Sequence, residues 1–176
     1  MSEKVKQICV NGIGIALFVV LSLCIQVPIF QNYYLCLGYV VMTVYCYSVG
    51  TTSGVIIGTL GVILYCILIN GLRGMPGWAV GNLILGLLIG PVFKMIRKIK
   101  KTWIIYLIAT PAIIIVTAIS ILGIKSIVEC LLYAQPFFVR VAKNIYAFMA
   151  DAFVIIVSLP ICRYLDPKIK QIMKNI

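Results

Sequence analysis

The stretch TWIIYLIATPAIIIVTAISILGI, residues 102–124, holds no Asp, Glu, Lys or Arg and is bounded by Lys101 and Lys125. A membrane-crossing helix needs about 20 apolar residues to span a hydrocarbon layer of roughly 30 Å. Working outward, further apolar runs bounded by Pro, Gly, Asn or charge lie near 8–27, 33–49, 53–70, 77–94 and 137–162. Of the 176 residues, 63% are hydrophobic and only 11% charged. A soluble domain carries about 25% charged residues, so lipid replaces water as the outer solvent of this chain. The runs are apolar on every side, whereas the strands of a membrane barrel alternate polar and apolar. The expected fold is all-α integral membrane: a six-transmembrane-helix bundle forming one membrane domain over 1–176. Residues 23–28 read LCIQVP, which lacks a small-residue cleavage site, so the first run is expected to stay as a membrane helix. Pro111 and Pro160 are expected to bend or end the helices that contain them.

The net charge of +11 would suggest nucleic acid in a soluble protein, but the basic residues cluster at the ends of apolar runs, where they set topology. One side of a six-span layout carries Lys4, Lys6, Lys94, Arg97, Lys98, Lys100, Lys101, Arg163, Lys168, Lys170 and Lys174. The other carries Arg73, Lys125, Arg140 and Lys143, an 11 to 4 division of the 15 basic residues. That asymmetry predicts both termini in the cytoplasm. The outward loops are then 26–32, 70–76 and 125–136, the last containing SIVECLLYA, apolar enough to lie as a short helix at the interface. No internal repeat supports an inverted-repeat carrier.

Membrane hydrolases and phosphotransferases need paired carboxylates, a nucleophile with its base, or metal ligands. Here there is no histidine and there are four acids: Glu3 and Asp166 in tails, Glu129 in an outward loop, and Asp151. Neither an active site nor a metal or cofactor site can be assembled from that set, so the chain is expected not to be an enzyme. The seven cysteines show no C-x-x-C spacing and read as small apolar packing residues. Asp151 lies about 20 Å along the last span at 1.5 Å per residue. Acids at that depth are costly and often functional, yet a structural hydrogen-bonding role remains equally open. Arg140, Asn144 and Asp151 fall at i, i+4 and i+11 and so share one helix face, which should turn toward the bundle interior.

Residues 70–82, NGLRGMPGWAVGN, gather turn residues and recognition groups in one outward segment. Gly71, Gly74 and Gly77 permit backbone turns, and Pro76 stiffens the entry to the fourth span. Arg73 can clamp an anionic or carbonyl group, Trp78 can stack on a flat ring, and Asn82 offers a donor and an acceptor one turn deeper. The competing reading is a tight loop with a Trp at its usual interfacial depth. In VNGIGIA, Gly12 and Ala16 form a small-xxx-small pair of the kind that lets helices approach closely.

KVKQICVNGIGIALFVVLS at the first helix, VPIF in the loop after it, six spans in about 180 residues, and GMPGWAVGNLILGLLIG at 74–90 together resemble the S components of energy-coupling factor (ECF) transporters. The likeness covers nearly the whole chain by layout and is strongest at 5–22 and 74–90. It looks closest to the riboflavin-transporter-like branch that includes subunits assigned to pyridoxine or to the hydroxymethylpyrimidine precursor of thiamine. The resemblance implies a six-helix subunit that captures a vitamin at its outer face. It further implies docking on a transmembrane coupling subunit (T component) that carries two cytoplasmic ATPases, with toppling in the bilayer on docking. This chain lacks G-x-x-x-x-G-K-[ST], in keeping with ATP being bound by other subunits. The family's A-x-x-x-A docking motif maps onto Gly12 and Ala16, with Gly in place of the first Ala. Family pockets lie in the outer half, which places Gln31, Arg73, Trp78, Asn82, Arg140 and Asn144 at the site, with Tyr133 and Gln135 from the last outward loop and Asp151 below them. A secondary carrier using Asp151 for proton coupling, or a non-transporting assembly subunit, are the readings of other classes; copurification with an ATPase pair separates them from the importer.

Overall fold

A computed structural model describes residues 3–24, 26–30, 33–69, 71–99 and 101–175. Among them the elements run α1 (Glu3–Cys24), β1 (Gln26–Phe30), β2 (Tyr33–Cys36), α2 (Gly38–Ser48), α3 (Thr51–Leu68), α4 (Met75–Ile96), α5 (Thr102–Thr117), a π-helical segment (Ala118–Lys125), α6 (Ser126–Tyr133) and α7 (Phe137–Asn175). The protein is thus an all-α membrane protein with one small hairpin. Among the described residues five helical stretches are long and apolar enough to cross a bilayer: Val5–Cys24, Thr51–Leu68, Met75–Ile96, Thr102–Tyr133 and Phe137–Lys174.

The second apolar run departs from expectation. It begins as the antiparallel hairpin arm β2, with Val27 opposite Leu35 and Gln26 opposite Cys36, and only then becomes the 11-residue α2. At 1.5 Å per residue α2 is about 17 Å long, short of a hydrocarbon core. The aromatic pair Tyr33 and Tyr34 favours a strand, and pairing within the hairpin satisfies backbone groups that a lone extended segment would leave bare. The outward segment 125–136 does hold a short helix, α6, but it continues the fifth helical stretch, which runs without interruption from Thr102 through the π segment to Tyr133. Neither Pro111 nor Pro160 ends its helix, and α4 also continues through Pro91.

The core lies where α1, α2, α3, α4 and α7 meet, filled by Phe18, Tyr39, Ile57, Leu85 and Ile155, all essentially inaccessible. Glycines set the helix spacing. A Cβ on Gly61 would stand 2.6 Å from the Phe18 ring, and one on Gly86 would stand 3.0 Å from the Val55 backbone, so α3 seats both neighbours closely. Residues 71, 74 and 77 do not serve as left-handed turns. Among the described residues Gly50 is the glycine with positive φ, and Gly77 lies inside α4. The outer faces of the helices carry Ile8, Leu64, Leu87, Leu107 and Phe153, the apolar belt that lipid requires.

Candidate functional site: a cavity at the hairpin end

The end of the bundle that carries the hairpin contains a cavity of about 480 Å³, within the size range of small-ligand sites. Its apolar wall comes from Leu35 of β2, Tyr65 and Ile69 at the end of α3, and Trp78 in the first turn of α4. Its polar wall comes from Lys125, Glu129, Arg140, Asn144 and Asp151, carried by the π segment, α6 and α7. Arg140, Asn144 and Asp151 therefore do share an inward face, together with Ala147 at the same spacing.

Lys125 and Glu129 are the residues that sequence reasoning missed, since both fell in the outward loop 125–136. Lys125 is 8% exposed and Glu129 6%. Two glycines make room for them. A Cβ on Gly77 would lie 2.7 Å from Glu129 Cγ, and one on Gly81 would lie 3.3 Å from Lys125 Cβ. Gly77 and Gly81 on α4 stand four apart, as do Lys125 and Glu129 on the facing helix, so a small-residue pair on one helix seats a charged pair on the other. The sequence signal was present in that matching spacing, but it pointed to a short helix at the interface and not to a continuation of the fifth span.

A buried charge needs partners. Glu129 Oε2 accepts from Asn144 Nδ2 at 3.0 Å and stands 3.7 Å from Arg140 Nη1. Asn144 Nδ2 donates in addition to Ser126 Oγ at 3.0 Å. The Arg140 guanidinium lies over the Tyr133 ring, 4.5 Å from its centroid, and Arg73 lies 5.7 Å from the same centroid. Asp151 is buried at the opposite side of the polar wall, where it faces Lys125 and the Tyr39 hydroxyl. The wall thus presents two acids and two bases, with donors and acceptors for the edge of a polar ring.

Arg73 and Tyr133 form a rim around Arg140 and do not line the cavity itself. Gln135 is also away from the wall, its Oε1 buried with no hydrogen-bond partner. Gln31 lies outside the described residues. Asn82 faces away from the cavity: it is fully buried, accepts from the Tyr39 hydroxyl at 2.7 Å and donates to the Gly58 carbonyl at 3.0 Å. On α4 Trp78 lines the cavity and Gly81 packs on Lys125, whereas Asn82 points to α2 and α3. Cys36 and Cys66, read as packing residues, line the cavity as free thiols, Cys36 in hydrogen-bond range of Ser22 at 3.2 Å. Gly12 and Ala16 sit on the exposed face of α1, with nothing within 4 Å of a Cβ built at Gly12.

A family model described as "ECF-type riboflavin transporter, S component" matches residues 2–166. The chain belongs to that family. No curated protein matches it. As an ECF S component it is the substrate-binding subunit of a vitamin importer, a membrane transport protein rather than a member of an enzyme family. That assignment gives the cavity its significance, because a substrate-binding subunit needs one concave site with an aromatic wall and a few fixed polar groups.

Proposed function

We propose that the cavity at the hairpin end captures a small, flat heteroaromatic vitamin from outside the cell, pyridoxine or the hydroxymethylpyrimidine precursor of thiamine, for delivery through a coupling subunit driven by two ATPases. The observation that carries this is the opposition of two unlike walls. Trp78, braced edge-on by Tyr65 at a centroid distance of 5.6 Å, offers a broad π face. Lys125 and Asp151 offer an adjacent donor and acceptor on the other side. A ring stacked on Trp78 can then present its ring nitrogen, hydroxyl or amino edge to Lys125 and Asp151. Arg140, Asn144 and Glu129 would hold the substituents nearer the mouth.

Native mass spectrometry of the gently purified protein, followed by titration with pyridoxine, hydroxymethylpyrimidine and riboflavin, tests the assignment. Retention and saturable binding of one of the first two is the expected result. Binding of riboflavin alone would move the substrate to a tricyclic ring, and binding of none would remove the vitamin reading.

In the same proposal the chain makes six crossings with both termini inside. The second crossing is composite: β2 at about 3.3 Å per residue and α2 at 1.5 Å per residue together reach roughly 30 Å. Non-helical backbone is tolerated at such depth where protein covers it or where it lines a cavity. β2 meets both conditions, packing on α7 and lining the cavity with Leu35 and Cys36. Single cysteines placed at Gly74 and Lys174 in a cysteine-free background should label from outside at Gly74 only. Labelling of whole cells at Lys174 instead would invert the orientation.

A further inference from the structure

Behind the cavity wall three polar side chains form a hydrogen-bonded chain. The Gly58 carbonyl can only accept, so the Asn82 amide turns its Nδ2 toward it at 3.0 Å and leaves Oδ1 facing α2. Oδ1 can only accept, so the Tyr39 hydroxyl spends its one proton there at 2.7 Å. The Tyr39 oxygen keeps its lone pairs, and one of them receives the Trp78 indole N–H at 2.8 Å. Tyr39 and Asn82 are fully buried and stand off the cavity wall, whereas Trp78 lines it. The Tyr39 ring is itself held edge-on against Phe18 of α1, at a centroid distance of 6.2 Å. The indole N–H can only donate and the Tyr39 oxygen has a lone pair to receive it, so the plane of the indole is set from behind, by a residue whose hydroxyl also faces Asp151.

We propose that Tyr39 is a positioning residue for substrate binding, holding the Trp78 indole in the orientation that presents its face to the cavity. The inference rests on the reading of the cavity as the vitamin site. Without the hydroxyl, the indole N–H loses its acceptor and the ring can rotate toward other polar atoms of the wall. If the presenting orientation then falls to about a tenth of the population, apparent affinity falls about tenfold. Tyr39→Phe is the informative substitution, because it keeps the ring that packs on Phe18.

The test has two parts. In a Trp103→Phe background Trp78 is the remaining tryptophan of the two, and its anisotropy decay in the ligand-free protein reports motion of that ring alone. Tyr39→Phe should introduce a fast depolarising component, while an unchanged decay would overturn the proposal. Affinity for whichever of pyridoxine, hydroxymethylpyrimidine and riboflavin binds the parent protein is then measured in a double-mutant cycle. Tyr39→Phe should weaken binding about tenfold alone and have no further effect in a Trp78→Phe background, which has no N–H to hold. Additive losses would mean that Tyr39 acts through Asp151 or on the ligand directly, and would reject the positioning role. If none of the three compounds binds, the vitamin reading fails, and the anisotropy decay alone decides whether Tyr39 holds the indole.

Discussion

Leucine at both Gly12 and Ala16 is expected to abolish vitamin uptake by cells while leaving vitamin binding by the isolated subunit within about twofold of the parent. The two positions lie on the exposed face of α1, and a Cβ added at Gly12 would have nothing within 4 Å of it. Folding therefore places no restriction on size there, and the substitution should not disturb the core, which α1 meets on its other side through Gly14 and Phe18. A partner helix packed on a small-residue face, by contrast, loses close approach when two isobutyl groups are interposed. If Gly12 and Ala16 take the place of the docking motif, as proposed, the loss should appear in assembly with the coupling subunit and hence in transport. Copurification of the tagged variant with the coupling subunit and radiolabelled uptake are the measurements. Normal assembly together with lost binding would make this face part of the ligand site and reject the docking assignment.

Trp78→Ala should weaken vitamin binding by about 1 to 3 kcal/mol, a loss of roughly 5- to 150-fold, taking the stacking of a base on an aromatic side chain as the guide. Trp78→Phe should retain part of the affinity, since a smaller π face remains but the N–H to Tyr39 is gone. The interfacial-anchor reading of Trp78 makes the opposite prediction: lower expression or thermal stability, with affinity in the surviving folded protein unchanged. Trp78 is in contact with Tyr65 and Tyr39, so some loss of stability is expected in either case. The affinity of size-checked, folded protein is therefore what decides. Wild-type affinity in Trp78→Ala would move the substrate away from the α3–α4 end of the cavity.

The residues legible in advance and those that were not divide along one physical line. Asp151, Arg140 and Asn144 could be placed together because a helix repeats every 3.6 residues and a polar stripe in an apolar helix must turn inward. Trp78 could be singled out because an aromatic ring among turn residues is conspicuous. Asn82 was grouped with Trp78 on the same argument of proximity, yet four residues of helix rotate by about 40° beyond a full turn, and the pocket edge falls between them. Lys125 and Glu129 were hidden because a charged residue after an apolar run ordinarily marks the membrane surface. Here the helix continues through a π segment, and that irregularity carries no compositional signature.

By itself the sequence determined the solvent, the helical class and, through its resemblance, the family. Those follow from local quantities: the length of an apolar run, the count of charges and their distribution along the chain. The tertiary structure alone decided that the second run is a hairpin arm and a short helix, that Gly77 and Gly81 seat Glu129 and Lys125, and that Tyr39 stands behind Trp78. Each of these depends on which atoms of distant segments come within a few ångströms, and burial of a charge is tolerated only where such a distant partner is present.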